Sequence, residues 1–266
     1  KVWNMVLILL TYTLCIFGTF LTRSGVVSSV HTFAQSPVGP WFLRFVIVIA
    51  GVSALLLYLR YDMLKSETHY DSPVSREGGF LLNNLLFLGA MFAVLWGTMF
   101  PIISEAVTGS KITVGPPFFN TVMIPIGLAL MLLTGVGPLL AWRKTSTASL
   151  RRHFTLPTLV GAVTAAICLA IGLRDVYAII SFALCVFVIV TIFAEYHRGA
   201  VARGSSSGES YVQAFWTLFG RNKRRYGGYV VHFGFVLMFV GFTGNAFNQQ
   251  TEIALAKGES FELGGY

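Results

Sequence analysis

Charged residues are scarce in this sequence. Only 11% of its 266 residues are Asp, Glu, Lys or Arg and 55% are hydrophobic, whereas charged residues make up roughly 25% of an ordinary soluble domain. A single soluble core of a chain this size cannot enclose so much apolar surface. The composition therefore excludes an ordinary soluble globular protein and indicates an integral membrane protein.

Cysteine is scarce as well. The three cysteines, Cys15, Cys168 and Cys185, fall inside apolar segments, and no two of them form a Cys-x-x-Cys pair. Disulfide frameworks and zinc sites usually show paired or clustered cysteines. We therefore predict neither, and we interpret the three side chains as small buried apolar groups.

Seven apolar segments are long enough to cross a membrane, since a transmembrane helix needs about 20 such residues. The runs are continuously apolar rather than alternating, which favours helices over a barrel. Arg44 lies near the start of the second run, where its side chain can reach the headgroups. The predicted fold is an all-α integral membrane bundle over residues 1–247, with spans near 2–21, 41–59, 80–103, 118–141, 154–173, 176–194 and 226–247.

Two segments outside the spans are predicted to lie on the outer side. Residues 22–40 form a connection in which Ser24-Gly25 and three later Gly and Pro residues break the helix. Residues 248–266 alternate in the manner of strands, and we predict that they begin an outer β domain. The sequence opens directly in a span and stops inside this pattern, so we expect it to be a fragment of a longer polypeptide.

Positive charge is distributed unevenly between the two sides of the predicted bundle. Of the 19 Lys and Arg residues, 14 fall at connections on one side, which the positive-inside rule assigns to the cytoplasm. The 22–40 loop then faces the periplasm of a bacterial inner membrane, with the mitochondrial inner membrane as the less favoured location. Topology and membrane lipid contacts account for the net charge of +8 and for the Arg221–Arg225 run, so we predict no nucleic-acid partner.

Two histidines are the main candidates for chemistry. His31 carries the sole imidazole of the outer loop, and His232 lies about a turn and a half inside the last span, where a histidine is costly without a partner. Gly228, one turn earlier on the same helical face, leaves room for a large flat group. Such imidazoles can bind haem iron, and Arg23 can contact haem propionates near water. Quinone, metal-ion or proton-relay roles, or an interhelical hydrogen bond for His232, explain the same pattern.

Other features receive structural interpretations. His153 and His197 stand beside arginines at the inner boundary and are interpreted as interfacial. Residues 204–208 are serine-rich and predict a flexible linker, and residues 211–219 predict an amphipathic helix on the membrane surface. A seven-residue glycine repeat in the last span predicts a surface for close helix packing, formed by Gly227, Gly234 and Gly241.

Ordered motifs recur along nearly the whole chain. The longest is Leu21-Thr-Arg-Ser-Gly-Val-Val-Ser-Ser-Val-His-Thr-Phe33. The others are Ser75-Arg-Glu, Leu82-Asn-Asn, Gly97-Thr-Met-Phe-Pro101, Val114-Gly-Pro-Pro-Phe-Phe-Asn120, Gly135-Val-Gly-Pro138, Tyr229-Val-Val-His-Phe-Gly234 and Gly258-Glu-Ser-Phe-Glu-Leu-Gly-Gly-Tyr266. Together they resemble the C-terminal part of the CcmF family, the haem lyase component of system I cytochrome c maturation.

The resemblance implies a function for each histidine. His31 matches an outward-side axial ligand for haem in transit from the haem chaperone CcmE, and His232 matches one of two transmembrane ligands to a resident haem b. The implied enzyme is a cytochrome c haem lyase that forms thioether bonds to the Cys-x-x-Cys-His motif of an apocytochrome c, presented by a CcmH-type thiol protein. His31 would act by positioning the haem, while the resident haem would keep the delivered iron reduced.

The sequence departs from the family pattern in one respect. The tryptophan-rich motif, a second outer histidine and the partner transmembrane histidine normally precede this segment, and they are not in the sequence. We therefore expect residues 1–266 alone to bind neither haem normally and to be inactive. The alternative function is a transporter of haem or another amphipathic molecule, which predicts inverted repeats and broken helices.

Overall fold

The structure is a computed structural model that describes residues 1–26, 38–65, 71–248, 253–255 and 260–262. Within these ranges the regular elements are all helical, which confirms the predicted all-α class. Every helix except α3 and α8 is long and apolar enough to cross a membrane, so seven candidate spans lie in the described part of the chain. The helices are α1 (Val2–Ser24), α2 (Gly39–Leu59), α3 (Tyr61–Leu64), α4 (Arg76–Thr108), α5 (Pro116–Val136), α6 (Thr147–Ala170), α7 (Val176–Ser207), α8 (Tyr211–Arg221) and α9 (Lys223–Thr243).

One compact unit comprises Lys1–Tyr70 and Trp96–Val114, and within it α1 packs along α2. Helix α1 ends at Gly25, whose φ of 71° is the left-handed conformation that commonly ends helices. Helix α2 begins with Gly39, where an added Cβ would lie 2.9 Å from the Cα of Ser24. The end of α1 and the start of α2 are therefore in close contact, and residues 27–37 between them lie outside the described ranges.

The other unit comprises Asp71–Leu95 and Gly115–Tyr266, and α7 is its central helix. Helix α7 packs against α5, α6, α8 and α9, so it contributes much of the buried core. Several polar contacts join α7 to α9. Among them, Tyr196 donates a hydrogen bond to the backbone oxygen of Tyr226 at 2.7 Å, and the hydroxyls of Ser181 and Thr243 lie 2.5 Å apart. These contacts hold α9 in a definite position against α7.

Helices α4 and α7 are longer than the apolar runs predict, at 33 and 32 residues. The prediction of a flexible linker at residues 204–208 is wrong, because α7 continues to Ser207 and ends at Gly208 with a φ of 70°. Just past that end, Glu209 accepts a 2.7 Å hydrogen bond from the side chain of Arg203 in α7. This bond lowers the pKa of the Glu209 carboxyl. The predicted helix at residues 211–219 is confirmed as part of α8.

Among the described residues, the glycine repeat of α9 forms no close packing surface. A Cβ added at Gly227, Gly234 or Gly241 would meet no atom of the described residues within 4 Å, so that interpretation was wrong. The close approaches are on other helices. A Cβ at Gly135 of α5 would lie 2.8 Å from Phe187 Cε1, and one at Gly199 of α7 would lie 2.1 Å from the Tyr226 hydroxyl.

The outer β domain predicted for residues 248–266 is not shown by the structure. Residues 253–255 and 260–262 are described and carry no strand. Residue 248 ends the described helical part, after a 3₁₀ turn at Gly244–Phe247, and the remaining positions of the predicted domain lie outside the described ranges.

Candidate functional site

The three described histidines differ in their hydrogen bonding. His153 Nδ1 lies 2.7 Å from the backbone oxygen of Ser149, and His197 Nδ1 lies 3.2 Å from the hydroxyl of Tyr211. His232 Nδ1 is buried, and no hydrogen-bond partner reaches it from the described residues. The interhelical hydrogen bond that the sequence left open for His232 is therefore not made at this nitrogen, which leaves the imidazole available to a ligand.

His232 lines a cavity of about 680 Å³ in the second unit, between the start of α4, the end of α5 and the start of α9. Cofactor sites commonly have roughly 300–1,000 Å³, so the space suits a sizeable organic group. Helix α9 presents Arg225, Gly228, Tyr229 and His232 to the cavity, and their spacing of three, four and seven residues places them on one helical face.

Small and apolar residues give the cavity its width. A Cβ at Gly228 would meet no described atom within 4 Å, so space beside His232 is confirmed where the sequence predicts it. Across from α9, Phe80 of α4 and Leu133 of α5 form apolar walls, and Pro138 lies in the 3₁₀ turn that follows α5. The His232 region is therefore a mostly apolar space with one unsatisfied imidazole nitrogen.

Three arginines line the same cavity: Arg76 at the start of α4, and Arg224 and Arg225 in the first turn of α9. Arg76 donates a 2.7 Å hydrogen bond from Nη2 to the backbone oxygen of Pro138, while its Nε is buried without a partner among the described residues. His232 is nine residues beyond Lys223, or about 14 Å along α9 at 1.5 Å per residue. The cavity thus has the half-buried imidazole of His232 in one part and a cationic end in another.

A buried carboxylate organises one wall of the cavity. Glu195 of α7 has only 4% of its side chain exposed, and it accepts hydrogen bonds from both Arg198 and Arg225. Tyr229 donates to the same carboxylate at 3.3 Å, and its ring lies edge-on to His232 with 6.4 Å between centroids. Glu195 therefore links α7 to Arg225 and Tyr229, which line the cavity on the N-terminal side of His232.

Sequence reasoning missed Arg76, Arg225 and Glu195. The arginines were interpreted as topology signals, and Glu195 stands at the polar end of an apolar run. One available signal was the seven-residue separation of Arg225 from His232, which places both on one face of a helix. No comparable pattern indicates Arg76, because its position beside the cavity depends on the packing of α4.

No observation places the other predicted site residues, His31 and Arg23, at this cavity. His31 lies outside the described residues. Arg23 is exposed on the last turn of α1 in the first unit, and its role with propionates stays a prediction. Within the described ranges, no group of three or more His, Cys, Asp or Glu residues is placed to hold a metal ion, so the cavity offers a single imidazole ligand.

Comparisons with known proteins cover the whole chain. No family model matches it. It is 34% identical over 269 residues to the cytochrome c-type biogenesis protein CycK of Rhizobium meliloti, and 32% identical over 275 residues to the cytochrome c-type biogenesis protein CcmF of Pseudomonas aeruginosa. Both alignments cover 100% of this chain and 39% of the relative.

A solved structure named Cytochrome c Heme Lyase CcmF matches with a TM-score of 0.72 and 31% identity, over 100% of this chain and 37% of that one. The chain thus spans about 39% of the length of the curated relatives that it matches. The sequence alignments extend over the whole chain, and so include the segments that carry both candidate histidines. The chain belongs to the CcmF family of cytochrome c-type biogenesis proteins.

Proposed function

We propose that this chain works in a cytochrome c haem lyase, where His232 is one axial ligand of a resident haem b and His31 binds haem in transit. The observation that carries the proposal is the half-buried imidazole of His232, whose Nδ1 is buried and has no hydrogen-bond partner among the described residues. This imidazole lines a cavity with a cationic end. The names of its relatives, which refer to cytochrome c biogenesis and to a haem lyase, support the same role.

The residues of the cavity fit a haem. An imidazole is the commonest protein ligand of haem iron, and His232 supplies one with a free nitrogen. Phe80 and Leu133 provide apolar surface for a macrocycle, and the arginines at the cavity end offer donors to acidic groups. When bound, the haem supplies a one-electron redox centre, whose electrons would keep the delivered iron reduced.

The lyase step is proposed for the outer, periplasmic face of a bacterial inner membrane. There the loop with His31 would receive haem from the chaperone CcmE, with Arg23 near its propionates. A CcmH-type thiol protein would present the apocytochrome c, whose two cysteine thiols form thioether bonds to the haem vinyl groups. In this proposal His31 contributes catalysis by orientation, since it fixes the iron and therefore the direction of the vinyl groups.

Transport of haem without covalent attachment is the alternative. Such transporters usually hold their substrate between discontinuous helices near the middle of the membrane. In the described residues, α4 and α5 run through Pro101 and Pro125 without a break, and no observation favours the transport function over the lyase.

Absorption spectra of the complete protein, purified in detergent after expression with its own haem supply, test the resident site. We expect His232→Ala to lose or weaken the b-type signal in oxidised and reduced spectra, and His31→Ala to retain it. His153→Ala is the matched control, because His153 has a hydrogen-bond partner and does not line the cavity. A wild-type protein without haem, or an unchanged His232→Ala spectrum, would remove the basis of the proposal.

Formation of covalent cytochrome c tests the lyase step separately. With a co-expressed apocytochrome c and the other maturation components, His31→Ala should abolish the haem-stained covalent product while the resident signal remains. Delivery of haem across the membrane without any covalent product in the wild type would instead support the transporter.

A further inference from the structure

Two buried side-chain nitrogens in the described part of the chain have no hydrogen-bond partner, Nδ1 of His232 and Nε of Arg76. Both residues line the same cavity, although 156 positions separate them in the sequence. A buried polar group without a partner is unfavourable, so native structures rarely leave one. Two such atoms in one cavity therefore indicate a ligand that satisfies both.

The chemistry of the two atoms describes that ligand. An imidazole nitrogen binds a metal, whereas a guanidinium N–H only donates and pairs best with an acidic oxygen. A ligand that combines a metal with an acidic group, with an apolar body between them, would satisfy both atoms in this mostly apolar cavity. Haem has these parts, because its iron lies in an apolar macrocycle that carries two propionate carboxylates.

We propose that Arg76 and Arg225 form a carboxylate-binding subsite for the propionates of the haem that His232 ligates. This inference rests on the function proposed above and extends it to the orientation of the haem. The propionates point toward the end of the cavity where α4 and α9 begin, which carries the arginines. By the distribution of positive charge, this end faces the cytoplasmic side.

Arg76 is held in place before any ligand binds. Its side chain donates to the Pro138 backbone oxygen at 2.7 Å, and its backbone N–H donates to the Ala141 oxygen at 2.8 Å. The preceding residue, Ser75, is fully buried, and its hydroxyl accepts the backbone N–H of Gly78 at 3.0 Å in the first turn of α4. These bonds fix the guanidinium at the cavity wall, so it loses little freedom on binding a carboxylate.

Arg225 is fixed by a different contact. Glu195 accepts a hydrogen bond from its guanidinium and from that of Arg198, so Glu195 is a positioning residue in this subsite. One carboxylate does not neutralise these two arginines together with Arg76 and Arg224 of the cavity lining. The excess positive charge at the cavity end is what two propionates would balance.

The phosphate of an anionic lipid headgroup offers the same acidic oxygens at a membrane boundary. The test therefore compares haem with haem dimethyl ester, in which both propionates are blocked, and also measures bound anionic lipid. The complete protein is stripped of haem and titrated with each compound in the same detergent. Dissociation constants come from absorption, and midpoint potentials from spectroelectrochemical titration.

The variants are Arg76→Gln, which removes the charge, and Arg76→Lys, which keeps it. Arg152→Gln is the matched control, because Arg152 is an exposed arginine of α6 that does not line the cavity. We expect Arg76→Gln to weaken haem binding roughly 10- to 100-fold, the usual effect of losing a charge-assisted hydrogen bond. The midpoint potential of the haem in Arg76→Gln should become more negative, since the loss of a cation favours the ferric state. Arg76→Lys should restore part of the haem affinity and part of the midpoint potential.

Haem dimethyl ester should bind the wild type more weakly than haem, and Arg76→Gln should not weaken it further. Equal wild-type affinities for haem and its ester would overturn the subsite even if Arg76→Gln fails to fold. Loss of bound phosphatidylglycerol in Arg76→Gln, with haem affinity unchanged, would overturn it in favour of a headgroup site. A normal haem in His232→Ala would instead overturn the proposed function, so the two failures are distinct.

Discussion

Replacement of Glu195 by Gln tests how much the cavity wall depends on one buried charge. The substitution keeps the size of the side chain and removes its negative charge. The amide oxygen can still accept from Arg198 or Arg225, but the amide NH₂ group then faces the other guanidinium, donor against donor. Tyr229 also loses a charged acceptor for its hydroxyl.

The expected loss of stability follows from how exposed Glu195 and its two arginine partners are. Removing one member of a fully buried ion pair costs about 3–5 kcal/mol, and Glu195 itself is only 4% exposed. Its partners are less buried, with 30% of the Arg198 side chain and 54% of the Arg225 side chain exposed, so both can turn toward water. We therefore expect Glu195→Gln to lower the free energy of unfolding by about 2 kcal/mol, below that range because the arginines can be rehydrated.

Thermal unfolding with a dye that fluoresces on reacting with thiols measures this loss. Cys168 and Cys185 are buried, as interpreted from the sequence, and become reactive when the helices separate. The interpretation was wrong for Cys15, which is exposed and is replaced by Ser to lower the background. A loss of 2 kcal/mol corresponds to roughly 4–8 °C in midpoint for a domain of a few hundred residues. Glu209→Gln, which breaks the pair with Arg203 outside the cavity, is the control and should produce a smaller shift.

Equal midpoints for Glu195→Gln and the wild type would refute this reasoning, because they would show that the carboxylate is not needed to hold α7 and α9 together. The haem spectrum provides a second reading. If Glu195 positions Arg225, then Glu195→Gln should also shift the midpoint potential of the haem proposed to bind at His232, whereas Glu209→Gln should leave it unchanged.

The packing of α9 on α7 gives two further predictions. Gly199→Ala places a methyl group 2.1 Å from the Tyr226 hydroxyl, so we expect a lower unfolding midpoint by the same thiol assay. Adding Tyr226→Phe should restore part of the lost midpoint. An unchanged midpoint in Gly199→Ala would contradict the close approach of the two helices. Ser181→Ala removes the 2.5 Å contact with Thr243 and should lower the free energy of unfolding by about 1 kcal/mol. A double-mutant cycle with Thr243→Val measures the contribution of this bond. A coupling energy near zero would mean that the bond contributes nothing.

The composition and the apolar runs were sufficient to predict the class of protein and the number of membrane spans. Backbone groups in lipid must be satisfied within a helix or a closed barrel, and continuously apolar runs without alternation select the helix. Helix ends were predicted less well, because hydropathy reports apolar length and not where a helix stops. Helix α7 continues beyond its apolar run to Ser207, and it ends where Gly208 adopts a left-handed conformation.

The sequence also identified His232, since a histidine inside an apolar run is unusual whatever surrounds it. Ordered motifs then pointed to the CcmF family, which the relatives confirm. The glycine repeat of α9 was misinterpreted, because periodicity shows which residues share a helical face but not whether another helix packs against that face.

Only the tertiary structure decided what surrounds His232. Arg76, Glu195 and Arg225 come from three helices, α4, α7 and α9, that are far apart in the sequence. Arg76 and Arg225 lie in the first turns of their helices, and Glu195 lies just after the apolar run of α7, where charges are ordinary for a membrane protein. Their common location depends on how α4 and α7 lie beside α9, and packing between distant segments is the property that a single sequence does not display.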